Sequence, residues 1–161
     1  VALSYEYDPC DFLKAKEMQQ KRDSETFKKS QADDLTNMQT GIFGYKGRVH
    51  FQTGPCINEE LEALRGLPKT EVFTQVSALI DKHIHCNYRL YPGNYVACDL
   101  LNGTETFAGK YTPEEKKRFE AYLQKKLDLI QLPNKDEDFL RQRILTMYAN
   151  PAINHLKAIA Q

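Results

Sequence analysis

Residues 46–55, KGRVHFQTGP, decide how this chain is read. After the basic entry of Lys46 and Arg48, the run Val49-His50-Phe51-Gln52 alternates with the period of a β-strand, and Gly54-Pro55 stops it. Val49 and Phe51 fall on one face and His50 on the other. Upstream, VALSYEYD at 1–8 alternates Val1, Leu3 and Tyr5 with Ala2, Ser4 and Glu6, which predicts a second strand. Pro9 breaks it, and Asp11 is placed to cap a helix beginning FLKAKEMQQKRD. A polar tract from Arg22 to Asp34 follows, then an apolar stripe of Leu35, Met38 and Ile42. Gly41, Gly44 and Gly47 lead into the strand at 48–53.

A strand, a long helical crossover and a second strand form a βαβ unit, which implies parallel pairing. Two parallel strands alone make a poor sheet, because parallel sheets are buried on both faces and hold several strands. The first strand is already under way at Val1 and no initiator Met precedes it. The expectation is therefore the C-terminal portion of a larger α/β protein. Pairing with a second copy and a mainly helical fold are the alternatives. An edge that lacks its neighbour exposes unpaired backbone, so self-association of this chain is also expected.

Beyond the strand, INEELEAL predicts a short helix. Pro68 and Thr70 open a longer one whose Val72, Phe73, Val76, Leu79 and Ile80 share a face that must pack on something. Pro92-Gly93 reads as a turn, and YVACDLL stays undecided between a strand and a helical turn. Thr112-Pro113-Glu114-Glu115 is a capping box with Pro at the first helical position, and it starts a helix carrying Phe119, Tyr122, Leu123, Leu127 and Ile130. Asp136 caps the next, with Phe139, Leu140, Ile144, Met147 and Tyr148; Asn150-Pro151 is expected to interrupt it before a last short helix.

The chain has 161 residues, the size of one domain, and 22 basic against 22 acidic residues. With no net charge, no global field recommends nucleic acid as a partner. No apolar run has the length of a membrane span, so the expected setting is cytoplasmic, with a membrane-associated intact protein left open. Cys10, Cys56, Cys86 and Cys98 form no CxxC pair, which fits reduced thiols. His83, His85, Cys86 and Cys98 match none of the standard zinc spacings, so neither a metal nor another cofactor is expected. The lysines of the first helix, interleaved with Asp11, Glu17, Asp23 and Glu25, read as a solvated face.

A hydrolase or transferase needs a base within reach of an orienting partner. Five positions after His50, His83, His85 and His155 stand Pro55, Tyr88, Leu90 and Ala160, so no His-x4-Asp pair exists. Nor is there a GxSxG elbow or a glycine-rich phosphate loop. No catalytic residue is assigned. Lys46 and Arg48, at a glycine-rich entrance where a ligand could approach the backbone, are the two candidates for substrate contact.

The order of segments carries a resemblance. VALSYEYDPCDFLKAKE, then GIFGYKGRVHFQTGPCINEEL, IHCNYRLYPGNYVACDLL and FLRQRILTMYANPAINHLKA are together similar to the C-terminal half of bacterial glycerolipid acyltransferases. These are the 1-acylglycerol-3-phosphate acyltransferase-like proteins, some labelled haemolysin-like. The resemblance implies a place in phospholipid biosynthesis, moving a fatty acyl group from acyl-CoA or acyl-carrier protein to a glycerol-phosphate or lysophospholipid acceptor. The family's His-x4-Asp motif and its Glu-Gly-Thr-Arg-Ser-like stretch are absent here, so the chain alone is expected to be inactive.

The fold expected is an α/β fragment, mainly helical: a βαβ unit from a larger sheet followed by a C-terminal helical cap. Residues 1–66 would be the C-terminal part of the α/β domain, and 67–161 the helical region. The competing reading is a non-catalytic helical interaction module that binds a partner protein or a membrane surface.

Overall fold

A computed structural model describes residues 1–160. Strand β1 (Ala2–Tyr5) is followed by helices α1 (Asp11–Asp23) and α2 (Gln31–Phe43), strand β2 (Val49–Gln52), and helices α3 (Asn58–Ala63), α4 (Lys69–Cys86) and α5 (Pro92–Asn102). A 3₁₀ turn at Ala108–Lys110 precedes α6 (Pro113–Asp128) and α7 (Glu137–Ile159). The chain is mainly helical with a small sheet, as expected.

The start signals explain most helices. Asp8 Oδ1 accepts the Cys10 N–H at 2.9 Å, and Cys10, not Asp11, is the N-cap of α1. Ser30 and Asp33 make a reciprocal capping box for α2, and Thr112 and Glu115 make the expected one for α6. Pro92 at the first helical position resolves YVACDLL as helix, not strand, and Gly103 ends α5 in the left-handed region at φ 63°. Asp136 caps α7 by accepting the Phe139 N–H. Contrary to expectation, α7 runs unbroken through Pro151. The ring removes one hydrogen bond donor, but Tyr148, Ala149 and Ala152 around it are buried, and that packing holds the helix together.

The core joins α1, α5, α6 and α7. Ala15, Val96, Ala97, Phe119, Leu123, Leu127, Ile130, Leu140, Ile144 and Ala152 form one buried cluster. α1 lies against both α6 and α7, so the front of the chain is packed into its C-terminal helices.

β1 and β2 pair antiparallel, which corrects the parallel βαβ expectation. Ala2 faces Gln52, Leu3 faces Phe51, Ser4 faces His50 and Tyr5 faces Val49. The two helices between the strands return the chain to β1 in the opposite sense, and connection length does not fix strand direction. Ala2 and Ser4 are the buried residues of β1, and the Ser4 hydroxyl accepts the Arg89 N–H at 3.0 Å. These small side chains let the main chain after α4 come close, so the larger Leu3, Val49 and Phe51 are left on the outer face, Phe51 at 68% exposure. At the turn into β2, Gly47 has φ 65°, and a Cβ there would come within 3 Å of Glu6 and Tyr7.

α2 and α4 pack differently from the core. No residue of either is fully buried. The stripe of α4 that should pack is half-buried at best, with Phe73 at 61% exposure.

Candidate functional site

Asp8 and Asp11 open the α1 segment, and two tyrosines from α6 and α7 meet them. Asp11 is fully buried. Its Oδ2 accepts the Tyr122 hydroxyl at 2.5 Å and the Tyr148 hydroxyl at 2.8 Å. Its Oδ1 lies 3.2 Å from Lys126 Nζ and accepts the Phe12 N–H. Lys126 also sits over the Phe12 ring, 5.0 Å from its centroid. The two tyrosine oxygens are 2.9 Å apart, and the Asp8 N–H donates to Tyr148. Burial, and then the charge of Asp11, push both phenols far above their ordinary value, so both stay protonated at any ordinary pH.

Every oxygen of Asp11 is thus occupied, and neither phenol ionises to become a nucleophile or base. The cluster is a polar lock that fastens α1 to α6 and α7. Elsewhere in the body Gln19 and Asp99 work alike: the Gln19 amide donates to Asn134 O, and the Asp99 carboxylate accepts from Thr104, the Phe107 N–H and Tyr111. A tyrosine on an apolar helix face needs a polar partner when buried, and that was the available signal for the lock; the cap reading of Asp11 hid it.

A half-open cavity of about 260 Å³ lies beside β1, away from β2. Leu3, Tyr5, Tyr88, Arg89, Met147, Tyr148 and Pro151 are among its lining. Its polar groups are mostly engaged: Asn94 accepts the Tyr91 N–H and donates to Tyr148 O, both at 2.8 Å, and Asp8 pairs with Lys14.

Lys46 and Arg48 do not meet at this cavity. Lys46 Nζ donates to the carbonyls of Ile42 and Gly44, closing the C-terminus of α2. The Arg48 guanidinium donates two hydrogen bonds to Glu6, at 3.0 and 3.1 Å, its backbone N–H donates a third at 3.3 Å, and the side chain lies over the Tyr91 ring. Burial raises the Glu6 carboxyl, but the hydrogen bonds and charge of Arg48 outweigh it, so Glu6 stays below the usual carboxylate range. His50 faces Ser4 across the sheet. His155 Nδ1 lies 2.8 Å from the His85 carbonyl, and Cys98 sits in the core, where burial pushes its thiol up to about 11. Among the described residues, no three His, Cys, Asp or Glu side chains gather to hold a metal ion, and no helix is long and apolar enough to cross a membrane.

No family model, no curated protein and no solved structure matches this chain.

Proposed function

We propose that this chain is the C-terminal portion of an acyltransferase that moves a fatty acyl group from acyl-CoA or acyl-carrier protein to a glycerol-phosphate or lysophospholipid acceptor. It brings no catalytic base of its own. One observation carries the reading: the segments that bear the resemblance follow one another in order along nearly the whole chain. Arg48, 58% exposed at the side chain, is the more exposed cation of the entrance.

The test is an acyl-transfer assay on the chain alone and on the chain joined to its upstream coding sequence. The expected result is turnover only when a His-x4-Asp pair is supplied upstream. Turnover by the chain alone overturns the claim that it lacks the catalytic half.

A second reading, a non-catalytic helical module that binds a partner protein or a membrane surface, is favoured by α2. Its Leu35, Met38 and Ile42 form an exposed stripe, extended by Phe43 at 84% exposure. Saturable binding of the chain to anionic vesicles, lost in Ile42→Asp, would favour the membrane form of this reading.

A further inference from the structure

Of the two charged groups that line the cavity beside β1, one is spent and the other is free. Asp8 accepts the Cys10 N–H through one carboxylate oxygen and pairs with Lys14 through the other. Arg89 gives its main-chain N–H to the Ser4 hydroxyl, but the residue is exposed, and its guanidinium has no ion pair and no hydrogen bond among the described residues. The uncompensated charge of the lining is therefore positive. Asn94 and Tyr148 are engaged within the fold, whereas the Tyr5 and Tyr88 hydroxyls bond to no protein group among the described residues. The remainder of the lining is largely apolar, with Leu3, Met147 and Pro151. The walls come from β1 and the turn after it, from residues 88–94 and from α7, and neither Val1 nor Ala2 takes part. So enclosed, the cavity suits a compact molecule: its 260 Å³ is room for about nine waters at roughly 30 Å³ each.

We propose that this cavity binds a small aryl carboxylate of about ten non-hydrogen atoms, its carboxylate on Arg89 and its ring among Tyr5, Met147 and Pro151. Charge selects the acid. A planar guanidinium meets a carboxylate with two parallel N–H donors, and the lining has no free acidic group to hold a cation. Burial, and then the charge of Asp8, raise the Tyr5 phenol, so it keeps its proton and can donate to a ligand oxygen. The lining selects the ring. Tyr5 packs on no other aromatic ring among the described residues, and the Met147 thioether is a favourable neighbour for a ring edge. Binding here needs no catalytic base and does not rest on acyl transfer, so an empty cavity would leave the acyl-transfer result untouched.

Phenylacetate, titrated into the chain and followed by amide NMR shifts, should saturate with a dissociation constant of roughly 0.1–1 mM, as fits so few atoms. The shifts should centre on Ser4, Tyr88 and Arg89. Phenethyl alcohol and phenethylamine carry the same ring with no charge and with a positive one; each should bind at least about tenfold more weakly than the acid. Arg89→Gln should abolish the advantage of the acid over the alcohol. The Arg89 side chain holds nothing in the fold, so the variant should keep the wild-type spectrum away from the cavity. No saturation below roughly 10 mM overturns the proposal, as does equal binding of acid and alcohol, an acid affinity unchanged in Arg89→Gln, or shifts centred on Leu35 and Met38 of α2 instead. The comparison of the three ligands is made on the wild-type chain, so it decides even if the variant does not fold.

Discussion

The helical body of α1, α5, α6 and α7 and the arm of α2, α3 and α4 carry apolar stripes of similar spacing, yet only the first buries them. Leu127, Leu140 and Ile144 are completely enclosed, whereas Leu35 in α2 and Phe73 in α4 are more than half exposed. Periodicity reports that a helix has a face; it does not report whether a second surface of matching shape is present. In the body, polar devices supply the match: Asp11, Asn94 and Asp99 each tie one element to another from inside. The arm has surface pairs such as Arg65 with Glu62, which contribute little.

The contrast is broken most strongly at its polar centre. Asp11→Ala leaves Lys126 and two phenols without their acceptor, and should cost about 3–5 kcal/mol in urea unfolding, as for other buried pairs that lose one partner. Next comes Leu127→Ala, which opens a void in the body and should cost about 2–5 kcal/mol by the same measurement.

How far this division could be read in the sequence differs from element to element. The capping box at Thr112 and the face of Phe119, Leu123 and Leu127 were legible, because caps and long-period stripes are local properties. The strands were legible as strands, but not their direction, since α1 and α2 between them set the path of return. Which side of β1 is buried was not legible: its apolar side chains alternate as Val1, Leu3 and Tyr5, yet the close approach of Arg89 buries Ala2 and Ser4. Pro151 read as a break because its cost is local and the packing that overcomes it is not. Of the candidate site, Lys46 and Arg48 were visible as cations, but their partners Ile42, Gly44 and Glu6 come from the fold.

Alkaline titration sharpens the comparison at smaller amplitude. Tyr122 and Tyr148 have phenols raised in the folded state, so that state holds their protons where the unfolded chain loses them, near pH 10. Stability from this source is whole below pH 10 and falls as pH rises above it. Phenolate absorbance should show two of the nine tyrosines silent until a cooperative unfolding step. Gradual ionisation of all nine without unfolding would break the account of the lock. The smallest effect belongs to the arm: Phe73→Ala or Leu35→Ala should shift stability by no more than about 0.5 kcal/mol, as at other exposed positions. A larger loss in either would show that the arm is packed after all.

The bond from Tyr148 to Asp11 spans 137 positions of the sequence. During synthesis at about 5–20 residues per second, α1 leaves the ribosome on the order of ten seconds before the tyrosine that encloses its aspartate has been added. For that interval the acid meets water instead of Tyr122 and Tyr148, and α1 has no α7 to lie against. The body therefore cannot close before α7 is present.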